Sequence, residues 1–186
     1  TISISIDKDA VLRSGIMLPD SIRHLKGKEL KNAIPDKIYI SLKDMRILTK
    51  VDMLMLEMLA NCNWERPLYM AISVGEVSKL KFDHYFVQEG LAFRFTPFDY
   101  KKWGNVKGDN NYAIDVERLY ENVMNRYKYG GLDTPGLYLD ETTLRTCYYH
   151  RRLFAQLAKE LIRQGDNTRA RKVLAYAEQA VPAYNV

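Results

Sequence analysis

Residues 151 to 184 set out two helices and a tight turn within 34 positions, and no other stretch of the chain is so closely specified. Phe154, Leu157, Ala158 and Leu161 recur at the three- and four-residue steps that place side chains on one helical face. Ala170, Leu174 and Ala177 repeat the pattern further on, and the alanines let two helix axes approach closely. Gly165-Asp166 supplies the turn, glycine for the left-handed residue that ends one helix and aspartate to cap the next, and Pro182 marks the stop. Two helices of this length are marginal alone in water. The pattern therefore predicts an antiparallel hairpin that needs a further apolar surface. A unit of this kind offers contact surface and no catalytic group of its own.

The preceding residues can supply that surface. Ile2, Ile4 and Ile6 alternate with Thr1, Ser3 and Ser5, the period of a half-buried strand, and residues 38–42, 68–74 and 91–95 have the composition of three more. Thr49-x-x-Asp52 has the form of a capping box. Behind it Val51, Leu54, Met55, Met58 and Leu59 share one face, which predicts a helix over 49–61 packed on the sheet. Asn61, Asn63 and Pro67 then break it. A second helix is predicted over 115–129, with Val116, Leu119, Tyr120, Val123, Met124 and Tyr127 as its stripe and Gly130-Gly131 as its stop. Asp140 caps a third from Glu141 to Gln164, roughly 36 Å long at 1.5 Å per residue. Its stripe is Leu144, Cys147, Tyr148, Phe154, Leu157 and Leu161. Since its second half is the first helix of the 34-residue frame, that frame reads as the closing hairpin of a larger body. The loop-rich stretch 100–111 separates an α+β part, residues 1–110, from a helical part, residues 111–186. The fold class is α+β, and the chain is expected to be one compact body and a fragment of a larger protein.

Composition narrows the chemistry. Hydrophobic residues make up 47% and charged residues 27%, which suits a folded domain and excludes disorder. The net charge of +5 is dispersed, and the densest basic spots, Arg151-Arg152 and residues 169–172, are interleaved with Glu160, Asp166 and Glu178, so no nucleic-acid partner is expected. The longest apolar run, Leu68 to Ile72, falls far short of the roughly 18 to 20 residues that span a bilayer. His24, His84 and His150 are scattered, with no pair at zinc-binding spacing, so neither a metal nor a cofactor is expected. Cys62 and Cys147 fit no metal or haem spacing and are read as free, largely buried thiols, with a disulfide left open. Asp83-His84-Tyr85 can orient an imidazole, and Glu89 and Asp99 can act as a carboxylate pair if the fold joins them. No nucleophile motif accompanies either, so the chain is not expected to be an enzyme.

Two groups of residues are candidate binding surfaces. Trp64, beside Glu65 and Arg66 in the segment Asn61 to Pro67, either stacks on a sugar or cation or plugs the corner between a helix and a strand. With Trp103 and clustered tyrosines it would make a carbohydrate-binding module. The other group is the outer arginines of the hairpin, Arg151, Arg152, Arg163, Arg169 and Arg171, a contact site for a protein.

The 34-residue frame resembles a tetratricopeptide repeat, present once and not as an array. Several longer motifs resemble a known family. They are Thr49-Lys50-x-Asp52, Asn61-x-Asn63-Trp64-Glu65-Arg66-Pro67-Leu68-Tyr69, Gln88-Glu89-Gly90-Leu91-Ala92-Phe93-Arg94, Asn125-Arg126-Tyr127-Lys128-Tyr129-Gly130-Gly131 and Tyr138-Leu139-Asp140-Glu141. In order and spacing they are similar to the soluble C-terminal region of a Bacteroidetes membrane-protein family, whose multi-spanning N-terminal part is similar to protein O-mannosyltransferases. The resemblance covers most of residues 37–186 and implies the non-catalytic tail of a glycosyltransferase acting on lipid-linked sugars. It also implies a place on the periplasmic side of the inner membrane, attachment through membrane spans that precede this chain, and a polypeptide acceptor, a glycan or a lipid-linked sugar as partner. No catalytic residue carries over, because the catalytic acid of such enzymes belongs to the membrane part.

Overall fold

The computed structural model describes residues 1–43, 47–74, 80, 82–106 and 112–183. Two compact units account for them: residues 1–88 with 92–114, and residues 115–186 with 89–91. The fold is α+β, as the sequence pattern predicts. Residues 107–111, where the boundary between the two parts is expected, lie outside the described residues, as does Tyr184 at the end of the 34-residue frame.

In the first unit β1 (Ile2–Ser5) and β2 (Lys37–Ile40) pair antiparallel, Ile2 opposite Ile40 and Ile4 opposite Ile38. Strand alternation buries Ile4, Ile38 and Ile40 and turns Tyr39 outward, 62% exposed. Between these strands lie α1 (Lys8–Arg13) and α2 (Gly27–Ala33), both too short for a periodic signal. Asp7 starts α1 by accepting the N–H groups of Asp9 and Ala10. A second sheet contains β3 (Tyr69–Ala71), β4 (Phe86–Gln88), β5 (Ala92–Phe95) and β6 (Ala113–Ile114) in the order β3-β5-β4-β6. The single four-stranded sheet expected from the sequence is therefore two sheets of six strands among the described residues. All three residues of β4 are buried, so Phe86-Val87-Gln88 shows no alternation for a reader to detect. Arg94 of β5 is buried as well; its Nη2 donates to the carbonyl of Ser14 at 2.7 Å, neutralising the C-terminal end of α1.

The helix expected over 49–61 is α3 (Lys50–Asn61), and Thr49 and Asp52 form the full capping box. Its buried face needs correction. Asp52, Leu56 and Leu59 point inward, while Val51, Leu54 and Met58, expected inside, are 42%, 62% and 52% exposed. The apolar stripe is wider than the surface the chain offers it, and the helix has turned so that only one edge of the stripe packs.

In the second unit α4 (Val116–Glu121) passes into a widened π turn, Asn122–Arg126, and the chain leaves the helix at Tyr127, three residues before the expected stop. After an irregular connection come α5 (Glu141–Arg163), capped by Asp140, and α6 (Asn167–Ala180). Gly165, at φ 82°, joins them. The N–H of Asp166 reaches the carbonyl of Leu161 and that of Gly165 the carbonyl of Ile162, the double hydrogen bond of a helix ended by a left-handed glycine. Asp166 then caps α6. The hairpin is thus built from the residues that predict it. Leu153, Phe154, Leu157 and Leu161 are at most 1% exposed; on α6 the inward residues are Ala170 and Val173, whereas Leu174 is 48% exposed. Tyr148, expected in the stripe of α5, is 60% exposed.

Candidate functional site

A cleft of about 670 Å³ in the first unit gathers Tyr39, Ser41, Asp83, His84, Tyr85, Asp99, Lys101 and Lys102. Strand alternation delivers Tyr39, the inward turn of its neighbours Ile38 and Ile40 leaving its ring facing out. A 3-10 turn, Asp83–Tyr85, delivers His84 and Tyr85. That turn is pinned on both sides, since the carbonyl of Tyr85 accepts from the N–H and hydroxyl of Thr96 and the carbonyl of His84 accepts from the N–H of Tyr100 at 2.9 Å. Asp99 opens a further turn by accepting the N–H of Lys102 at 3.1 Å.

Asp99 is the electrostatic centre of the cleft. Its carboxylate lies 3.3 Å from the Lys102 ammonium and 3.6 Å from Nε2 of His84, the latter beyond direct hydrogen-bond reach. Burial pushes the His84 imidazole below its ordinary pKa, Asp99 only partly opposing it, so the ring is neutral at pH 7. Burial likewise raises the phenol of Tyr85. Among the described lining residues, with His84 neutral, two carboxylates and two ammonium groups balance. The described lining therefore offers donors, acceptors and an open aromatic ring with its charges in balance, chemistry suited to a neutral polyhydroxylated ligand. Sequence reasoning singled out His84 and Asp99 and missed Tyr39, Ser41, Lys101 and Lys102. Only the alternation around Tyr39 could have signalled any of these four.

The second unit holds an open groove of about 480 Å³ whose lining includes Tyr127, Tyr129, Tyr176, Asn125, Lys128 and the backbone of Gly130-Gly131. The rings of Tyr129 and Tyr176 lie 6.0 Å apart at 76°, edge to face, and so form walls and not a flat platform. Tyr129 donates its hydroxyl to the carbonyl of Val123, and its burial raises the phenol pKa. The hydroxyl of Tyr127 accepts the N–H of Leu91 at 2.9 Å. A Cβ on Gly90, whose φ is 155°, would stand 2.1 Å from that hydroxyl. Asn122, in the π turn, donates to the carbonyl of Glu89, and the carboxylate of Glu89 meets Arg118 at 3.0 Å. Residues 89–91 thus close on Asn122 and Tyr127 in one clasp, and the π turn supplies the extra residue that aims both side chains.

The other candidate residues divide between core, ion pairs and open surface. Trp64 is 4% exposed, stacked on Phe95 at 5.5 Å and 17°, with Nε1 donating to the carbonyl of Ser5. It is a core residue, and the space beside it, about 10 Å³, admits no ligand. Glu65 and Arg66 are exposed on the same corner; Trp103 is half-buried, edge-on to Phe98. Of the hairpin arginines, Arg151 reaches the carbonyl of Val181 and the carboxylate of Glu178, and Arg163 pairs with the buried Glu160. Arg169 joins Glu117 and Asp166 beneath the ring of Tyr120. Hydrogen bonds to those two carboxylates raise its pKa further. Three of the five thus hold the hairpin to itself and to α4, while Arg152 and Arg171 are exposed. The carboxylate of Glu89 meets Arg118 and that of Asp99 meets Lys102. Cys62 and Cys147 are free thiols, their pKa values raised by burial.

Among the described residues no group of three or more His, Cys, Asp or Glu is placed to hold a metal ion, and no helix is long and apolar enough to cross a membrane. No curated protein and no solved structure matches the chain. One family model does, that of TMEM260-associated domain 2, across residues 1–117; it takes in the first 36 residues, which the motifs leave uncovered, and ends before α5. With more than half of its length so matched, the chain belongs to the TMEM260-associated domain 2 family, a family of domains associated with a membrane protein.

Proposed function

We propose that the chain is a non-catalytic binding domain of a membrane glycosyltransferase-like protein and that it holds a polypeptide acceptor. The observation that carries this reading is the groove beside Tyr127, Tyr129 and Tyr176. Rigid tyrosine walls give contact area at small entropic cost, and the side-chain amides of Asn125 and Gln179 can pair with a peptide backbone. Gly130-Gly131, bare of side chains, lets an extended segment lie close. The resemblance of the hairpin to a tetratricopeptide unit supports the same reading, since such units bind other chains. The motifs resembling a Bacteroidetes, protein O-mannosyltransferase-like family support the finer attribution: a domain on the periplasmic side of the inner membrane, with sugar transfer performed by the membrane part. No residue of this chain takes a catalytic role in it.

The test is selection of random extended peptides on the purified chain, followed by fluorescence anisotropy of the enriched sequences. Tyr176→Ala is expected to weaken them about tenfold or more, the loss of one buried aromatic contact. Failure to enrich any peptide, or affinities indifferent to Tyr176, would sink the proposal.

A second reading rests on the other cleft. The balanced charges of its described lining and the outward ring of Tyr39 favour a neutral glycan, held by Asp83, Asp99 and Ser41. On a glycan array, binding lost with Tyr39→Ala and kept with Tyr176→Ala separates it from the first.

A further inference from the structure

A feature that neither cleft uses is the bare side of α3. Val51, Leu54 and Met58 stand one turn apart in succession, and Ile47 precedes them at 78% exposure. Exposed apolar groups that share one helix face mark a surface made to be covered. The sequence signals the same thing independently, because these residues complete the amphipathic stripe that the fold buries at only one edge.

We propose that this face lies in a lipid surface. Three observations choose that occupant. The chain belongs to a family of domains associated with a membrane protein, so an apolar bilayer is within its working environment. The face is small: a helix of 12 residues is about 18 Å long and about 10 Å wide, roughly 200 Å², well short of the roughly 800 Å² per partner that a stable protein interface needs. A shallow interfacial helix needs no more than such a strip, sunk about 5–10 Å into the headgroup boundary. The charges also suit an anionic surface. Lys43 and Lys50 are exposed at the entry to the helix, and the acid on its open side, Glu57, is engaged by the amide of Asn61. Met58 in the strip adds a flexible, polarizable contact that adapts to acyl chains.

The experiment is flotation of the whole 186-residue chain with phosphatidylcholine vesicles, with and without phosphatidylglycerol. The chain should float, more strongly with phosphatidylglycerol. The double variant L54Q/M58Q should partition at least about tenfold less, through loss of apolar burial, with an unchanged circular dichroism spectrum. A single variant, L54W, supplies a second readout: its fluorescence should be quenched by lipids carrying bromine on the acyl chains. No flotation, flotation indifferent to L54Q/M58Q, or an unquenched L54W would overturn the proposal. So would a dimer seen by sedimentation equilibrium and abolished by L54Q/M58Q, since a second copy would then be the cover.

Discussion

Helix α3 and the hairpin α5–α6 begin from the same kind of information, an apolar stripe at helical spacing behind a capping residue, and end in different states. The hairpin covers its stripe with its own chain: Leu153, Leu157 and Leu161 of α5 are fully buried, and Val173 of α6 is too. Helix α3 buries Leu56 and Leu59 and leaves Val51, Leu54 and Met58 in the open. An amphipathic period therefore says how much of a helix seeks cover, and only the fold says how much of that cover the chain provides. Where α5 faces α6 the two agree, at Phe154, Leu157 and Leu161, because the Gly165-Asp166 turn folds one helix face onto the other; Tyr148 and Leu174 are the exceptions. In α3 the stripe exceeds the available surface, and the excess is where an outside partner is to be sought.

Substitutions at equivalent places in the two stripes should separate them. Leu157→Ala, in the fully buried stripe of α5, should cost about 2–5 kcal/mol in chemical denaturation, since it removes buried methyl groups and leaves a cavity. A loss below about 1 kcal/mol would mean that the hairpin core is looser than its burial implies. Thr49→Ala removes one half of the capping box and should cost about 1 kcal/mol, measured the same way. Because Asp52 is 1% exposed and takes the N–H and hydroxyl of Thr49, the effect should stand at the upper end of that class. Leu54→Gln, in the open part of the α3 stripe, should change stability by no more than about 0.5 kcal/mol. A larger loss would show that the chain itself covers Leu54 in solution and would remove the contrast.

What could be read in advance follows the range of the interactions. Local chemistry was legible: Thr49 and Asp52 mark the start of α3, Asp140 and Asp166 start α5 and α6, and the isoleucines of β1 and β2 show their inward faces. Elements held by distant contacts were not. Strand β4 carries no period because every residue in it is buried, β6 is two residues long, and α1 and α2 are shorter than two helical turns. The indole of Trp64 stands between the two cases. The sequence offers a stacking platform or a plug at the helix-strand corner, and the ring is the plug: Ser5 and Phe95, distant in sequence, hold it inside while Asn63 and Trp64 both adopt left-handed backbone angles. The cleft was half legible. His84 and Asp99 belong to types that attract notice, whereas Tyr39 and Lys101 come to them only through sheet pairing and a turn.

The clasp around Gly90 bears on how chains of this kind can diverge. The tyrosine hydroxyl of residue 127 occupies the volume that any side chain at 90 would require, so position 90 is not free to vary while that hydroxyl stays in place. A chain that acquires a side chain at 90 has to shorten or lose the ring at 127, and with it the acceptor for the N–H of Leu91. Across a set of aligned descendants a side chain at 90 should therefore come only with a change at 127. That coupled pair, 37 residues apart, would date the joining of the loop to the helical unit better than a single column.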